Sequence, residues 1–251
     1  MQKNNQAVFR QSFTVRSYEV ASDQKATLPS VCDYFQEAAG VHAQQLDFDI
    51  SQLQEQNLTW VLYKMHVKMN RFPERWNEIE VETWPSSGDG IRAFRDYELK
   101  DSRGTILGAA ISQWMVLNIK TRRPVRMPQA VLDMGINTSR HVIEIDKKPV
   151  EPVKKQNHRF LLSVGEYDLD MNNHVNNVSY IRWITGFRPA GITAGKKCTE
   201  INIQYVSEAV LGDEIYQATE PVEDSAGHYR QTLYKNNDFK VIAAAVTKWD
   251  E

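Results

Sequence analysis

Sliding the chain past itself by 135 positions lays Arg95 on Arg230, Lys100 on Lys235, and Ile106-Leu107-Gly108-Ala109-Ala110-Ile111-Ser112-Gln113-Trp114 on Val241-Ile242-Ala243-Ala244-Ala245-Val246-Thr247-Lys248-Trp249. A shift of 136 lays Glu78-Ile79 on Glu214-Ile215, and one of 146 lays Asp33-Tyr34-Phe35 on Ser179-Tyr180-Ile181. Such matches mean two copies of one structural unit. The offset grows toward the N-terminus, which predicts about ten extra residues in the first copy, between its helix and its first strand, within 47–58.

The period of the apolar residues says what the unit is. Thr27-Leu28-Pro29-Ser30 is a helix start with proline in the first turn, and Val31, Phe35, Ala38, Ala39, His42 and Leu46 continue an apolar stripe at helical spacing. From Trp60 the period becomes two: Met65, Val67 and Met69 alternate with Lys64, His66 and Lys68, so the second set is expected on a solvated face. Further strands are expected at 78–83, 93–100 and 105–119, the last two joined by the turn Asp101-Ser102-Arg103-Gly104. After 135–157, which loses periodicity and carries Pro149 and Pro152, the order repeats: a helix holding Val175, Val178, Ile181 and Thr185, then strands at 200–206, 214–219, 229–235 and 239–249. The expected organisation is an N-terminal unit over 1–134, a linker over 135–157 and a C-terminal unit over 158–251.

Composition narrows the function classes. Apolar residues at 41% and charged residues at 25%, with a net charge of -2, describe a globular protein with no overall nucleic-acid footprint. No run of about 18 apolar residues is present, and Met1-Gln2-Lys3-Asn4-Asn5-Gln6 lacks an apolar leader, so a cytoplasmic protein without membrane contact is expected. Cys32 and Cys198 have no Cys or His at ligand spacing, which argues against a zinc site or a disulfide framework. No cofactor or metal is expected.

The densest polar run is 167–180, in which Asp168, Asp170, Asn172, Asn173, His174, Asn176 and Asn177 stand beside apolar anchors. It reads as a turn entering a helix, with His174 at or near the helix start and the backbone N–H groups of 173–177 available to a developing negative oxygen. Asn176 and Asn177 are candidate substrate contacts or simply first-turn residues. Under the repeat offsets His174 faces Leu28 and Glu208 faces Phe72, so only the second copy holds polar groups at these places. The first copy is left to offer an apolar cavity for a fatty or aromatic acyl group, with Val31, Phe35, Trp60 and Leu62 as candidate substrate-binding residues.

The run 168–177, the downstream Tyr205-Val206-Ser207-Glu208, and Val15-Arg16-Ser17-Tyr18-Glu19-Val20, Trp60-Val61, Arg71-Phe72-Pro73, Glu82-Thr83-Trp84 and Thr121-Arg122-Arg123 in the first half resemble the acyl-acyl-carrier-protein thioesterases of fatty-acid synthesis over nearly the whole chain. The resemblance implies an α+β tandem (double) hotdog, two antiparallel sheets each wrapped around a central helix. It also implies hydrolysis of a fatty acyl thioester, with Asp170, Asn172, His174 and Glu208 as the functional residues. Plant members place a cysteine directly after that glutamate; here the residue is Ala209, so a cysteine nucleophile is not expected.

Thioester hydrolysis needs an activated water and donors aimed at the oxyanion, and it needs little protonation of a thiolate that leaves readily. Glu208 is the leading general base, His174 its partner in proton transfer, Asp170 the orienting carboxylate and Asn172 a donor to water or carbonyl. The rival assignment makes His174 the base, since a free imidazole titrates near neutrality. The basic cluster Lys120, Arg122, Arg123 and Arg126 is a candidate docking patch for an acidic acyl carrier protein. A homodimer is the self-association allowed for. The competing readings are an acyl-CoA thioesterase, a hotdog hydratase and, less well supported, a non-catalytic acyl-binding regulator.

Overall fold

The computed structural model describes residues 8–129, 131, 141–154, 159–187, 196–236 and 238–250. It divides into two compact units, Met1–Asp146 and Lys147–Glu251. Each is a hotdog, and the two follow one another along the chain.

In the first unit, strands β1 (Phe9–Thr14), β2 (Leu58–Met69), β3 (Glu78–Gly88), β4 (Arg92–Asp101) and β5 (Ile106–Asn118) form an antiparallel sheet in the order β1-β3-β4-β5-β2. Helix α1 (Leu28–Gln45) packs on β3 and β1. Its start is the one read from sequence: the Thr27 hydroxyl accepts the Ser30 N–H at 3.2 Å, and Pro29 sits in the first turn, where no N–H is needed. The buried stripe Val31, Phe35, Ala38, Ala39 and His42 turns toward the sheet, with the Phe35 ring packed at a tilt against Tyr97, centroids 5.1 Å apart. The expected insertion carries a short helix, α2 (Ile50–Gln54), capped by Asp49, which accepts the Gln52 N–H at 3.1 Å.

The other face of this sheet is covered where the sequence suggests solvent. Lys64 is 2% exposed, because Asp146 reaches its ammonium at 2.8 Å and the Asp146 carbonyl takes both that ammonium and the carboxamide of Gln113, the cross-strand neighbour of Lys64. Ile143 joins Phe94 and Ile111 in a small apolar cluster. Buried Asp96 accepts the Val142 N–H at 2.8 Å and lies 3.0 Å from His141 Nδ1, while His141 Nε2 lies 3.3 Å from Ser87 Oγ. Residues 141–146, expected to be linker, are therefore a strap laid across the sheet. Alternation predicts which residues share a face but not what covers it. Expected linker positions 135–140 and 155–157 lie outside the described residues.

In the second unit, β6 (Arg159–Ser163), β7 (Lys197–Tyr205), β8 (Glu214–Pro221), β9 (His228–Lys235) and β10 (Lys240–Asp250) pair antiparallel in the order β6-β8-β9-β10-β7, the first sheet's order repeated. Helix α3 (Asn177–Gly186) packs on β9, where the carboxamide of Gln231 donates to Ile184 O at 3.1 Å. The duplication extends to side chains. Trp114 Nε1 donates to Ser112 Oγ at 2.7 Å in the first unit, and Trp249 Nε1 donates to Thr247 Oγ1 at 3.0 Å at the matching positions of the second. Among the described residues no helix is long and apolar enough to cross a membrane.

Candidate active site

Two loops of the second unit build the site, and Asp170 builds the first of them. Its N–H donates to His174 O at 2.7 Å, its carbonyl accepts the Asn173 N–H at 3.1 Å, and its Oδ1 accepts the N–H groups of Asn172 and His174 at 2.8 and 3.2 Å. Asn173 takes the left-handed conformation, φ 60°, which asparagine tolerates better than most side chains. A bridge between Leu169 and Val175 closes the turn. Asp170 thus orients His174 through the main chain. The Asn172 carboxamide lies 3.5 Å from Asp170 Oδ2, at the limit of a hydrogen bond.

The helix begins three residues later than the polar run suggests. Asn176 is its cap, its Oδ1 accepting the Val178 N–H at 2.9 Å, and the Asn177 carbonyl accepts the Tyr205 hydroxyl at 3.2 Å. This revises the expected oxyanion site. The N–H groups of Asn173, His174, Val175 and Asn176 go to Asp170 O, Asp170 Oδ1, Ala209 O and Asp168 O. In this stretch the Asn177 N–H alone has no acceptor among the described residues, and it stands at the positive end of α3.

The second loop follows β7. Val206 and Ser207 donate their N–H groups to Ile242 O, and the next residues are stitched to the first loop: Val175 N–H to Ala209 O at 3.0 Å, Ala209 N–H to Tyr180 Oη at 3.0 Å. The stitching sets Glu208 opposite His174, with Oε2 3.6 Å from Nε2 and the side chains 36% and 35% exposed. At that distance and exposure the pair can share a water and still be reached by a substrate. Burial, together with the Glu208, Asp213 and Asp170 carboxylates, pushes the Tyr180 phenol pKa up, so Tyr180 stays neutral and serves as the acceptor for Ala209.

The cysteines lie apart from this chemistry. Both are buried, the Cys198 thiol is pushed up by burial, and the position after Glu208 is the fully buried Ala209. Among the described residues no group of three or more His, Cys, Asp or Glu side chains could hold a metal ion.

The candidate substrate-binding residues of the first unit do not pack as one group. Val31 and Phe35 on α1 are fully buried and Leu62 is nearly so, whereas half-buried Trp60 joins Phe48, Leu58, Val116 and Met127 in a separate cluster, its indole donating to Phe48 O. Lys120, Arg122, Arg123 and Arg126 all project from the loop after β5, and Arg126 borders a surface depression formed with Asp89, Gly90, Ile91, Pro124 and Val125. Sequence reading passed over Lys235 and Asp213, which hold the Glu208 loop from behind. The match of Lys235 to Lys100 in the repeat was the available signal.

With that geometry in view, comparison with known proteins decides the family. Family models for the acyl-ACP thioesterase N-terminal and C-terminal domains match residues 6–134 and 151–251. The chain belongs to the acyl-ACP thioesterase family. It is similar to a chloroplastic acyl-[acyl-carrier-protein] hydrolase of Cuphea viscosissima, 31% identical over 96% of this chain and 62% of that protein. It spans less than two thirds of the length of the curated relatives it matches. Among solved structures, an acyl-ACP thioesterase from Bacteroides thetaiotaomicron superposes with a TM-score of 0.86 at 23% identity over the whole of both chains, which establishes the tandem hotdog. The 12:0-ACP thioesterase from Umbellularia californica superposes with a TM-score of 0.83 at 25% identity over 98% of each.

Proposed function

We propose that this chain hydrolyses fatty acyl thioesters of acyl carrier protein to the free fatty acid and the carrier thiol, ending chain elongation. The observation that carries the proposal is the approach of His174 to Glu208 within 3.6 Å, half exposed, in a chain of the acyl-ACP thioesterase family. In this reading Glu208 takes a proton from a water held between it and His174, and the water oxygen bonds to the thioester carbonyl carbon. The carbonyl oxygen becomes an oxyanion, for which the Asn177 N–H and the Asn172 carboxamide are the donors available on the first loop. Collapse breaks the C–S bond, and the departing thiolate takes up the proton that Glu208 accepted, relayed through His174 or by way of solvent, which returns Glu208 to its starting state.

The carrier protein is recognised, in this reading, by the exposed arginines 122, 123 and 126 of the first unit. Ile91, 54% exposed, and Val125 border the depression beside Arg126, so the surface offers apolar contact next to positive charge, which suits an acidic partner. Free thiol release from a ladder of acyl-carrier and acyl-CoA thioesters tests the proposal. Turnover of the carrier thioesters above the CoA thioesters supports it. The reverse order makes the protein an acyl-CoA thioesterase, and hydration of an enoyl thioester without thiol release makes it a hydratase.

A further inference from the structure

Glu208 lies in residues 206–213, a connection between β7 and β8 with no helix or strand of its own to hold the carboxylate in place. Besides the backbone bonds that tie the loop to Ile242, Val175 and Tyr180, a part-buried cation grips Glu208 itself. Lys235, at the end of β9, donates from Nζ to the Glu208 carbonyl at 2.8 Å and meets Asp213 Oδ2 at 3.1 Å, the two side chains being 17% and 13% exposed. Asp213 Oδ2 also accepts the Val210 N–H at 3.0 Å. Burial alone would push the Asp213 carboxyl up, but the Val210 N–H, the ammonium and Asn236 outweigh it and hold the group below the usual carboxylate range, so it stays charged.

The repeat shows that this clamp is particular to the second unit. Lys100, the matching residue of the first, grips two carboxylates, Glu82 at 2.8 Å and Glu98 at 3.0 Å. Their counterparts in the second unit are the buried Ala218 and Leu233, which offer no side-chain acceptor. The groups that Lys235 holds instead are Glu208 and Asp213, which correspond to Phe72 and Asn77 in the first unit. The same cation at the same strand position has been turned onto the loop that carries the candidate base.

We propose that Lys235, braced by Asp213, is the positioning residue that fixes the Glu208 carboxylate against His174 and water, acting through the Glu208 main chain. This rests on Glu208 being the base. A displacement of about 1 Å at a reacting group reduces turnover by roughly a hundredfold, so Lys235→Met is expected to lower kcat for acyl-carrier hydrolysis about ten- to a hundredfold with KM within about twofold. Lys235→Arg restores most of it. Asp213→Asn, which keeps the ammonium and its bond to the carbonyl, gives an intermediate loss and supplies the test should Lys235→Met fail to fold.

The deciding measurement is Lys235→Met in a Glu208→Gln background, with the folded fraction of each variant fixed by thermal unfolding. A positioning role predicts no further loss of kcat there, because the group being positioned is already disabled. A full additional loss, or a Lys235→Met protein that is less stable but has normal kcat per folded molecule, reduces Lys235 to a structural lysine. Near-normal turnover in Glu208→Gln itself removes the underlying assignment of the base, and is distinguished from the other outcomes by that single variant.

Discussion

Lys64 and Asp146 meet at 2.8 Å across 82 residues, the lysine buried in the sheet and the aspartate at the end of the 141–146 strap. Asp146→Ala leaves the buried ammonium with the Asp146 carbonyl and is expected to destabilise the first unit by about 1–2 kcal/mol, tempered because the carboxylate is partly exposed. Lys64→Met, which removes the charge and keeps the shape, is expected to lower stability less than Asp146→Ala does. Denaturant unfolding of both variants checks this, and a larger loss for Lys64→Met would show that the ammonium matters for more than its ion pair.

Glu208→Gln keeps shape and removes the proton acceptor. It is expected to lower turnover by about two orders of magnitude or more while binding holds. His174→Ala is expected to be similarly damaging, and the double variant little worse than either single, because the two act on one water. Single-turnover kinetics with an acyl-carrier thioester reads all three.

Cys32→Ala and Cys198→Ala are expected to leave turnover within about twofold, and alkylating reagents to leave the folded enzyme active, since both thiols are buried and neither lies beside Glu208. A trapped acyl-cysteine, sought by mass spectrometry after quenching, would contradict this.

Charge reversal at Arg122 and Arg123 is expected to raise KM for acyl-carrier substrates, as added salt does, while hydrolysis of a short acyl thioester without the carrier hardly changes. Equal responses of the two substrates would move the carrier elsewhere.

Glu82 offers a test in pH. Burial alone would push its carboxyl up, but hydrogen bonds from Lys100 at 2.8 Å and Arg10 at 3.0 Å outweigh that and hold it below the usual range. A depressed folded pKa contributes stability above the unfolded value of about 4.3 and loses it as pH falls through the folded one. Glu82→Gln is therefore expected to be less stable than the parent at pH 7, the gap narrowing below about pH 4. Thermal unfolding across that range measures it, and a gap independent of pH would assign the effect to packing.

How much of this was legible beforehand depends on how each element declares itself. The central strands show as runs of alternation and α1 as a stripe with a cap and a proline, and the repeat fixes their order twice over. The strands at the sheet edges, β1 and β6, are short and at most half buried, so Phe9–Thr14 and Arg159–Ser163 gave too few inward residues to stand out. The insertion in 47–58 followed from arithmetic on the offsets, but its helix did not, since five residues carry little periodicity. Lys64 was misplaced because its cover comes from a segment 82 residues away. Within the site, the polar run could be read locally. The meeting of His174 with a glutamate 34 positions on came only through the family resemblance, and the backbone grip of Lys235 on Glu208 leaves no mark in a sequence beyond a lysine.

The second sheet repeats the strand order of the first while its lysine clamp holds different groups, and this bears on how such a protein can change. In an assembly of identical chains every substitution appears in all copies at once, so an improvement on one side must be tolerated on the other. Joining two hotdogs in one polypeptide removes that coupling: Phe72 and Glu208, or Lys100 and Lys235, can drift apart without a symmetry mate to follow. Substitutions in the first unit can then accumulate while the second keeps its turn, its lysine contact and its facing imidazole and carboxylate.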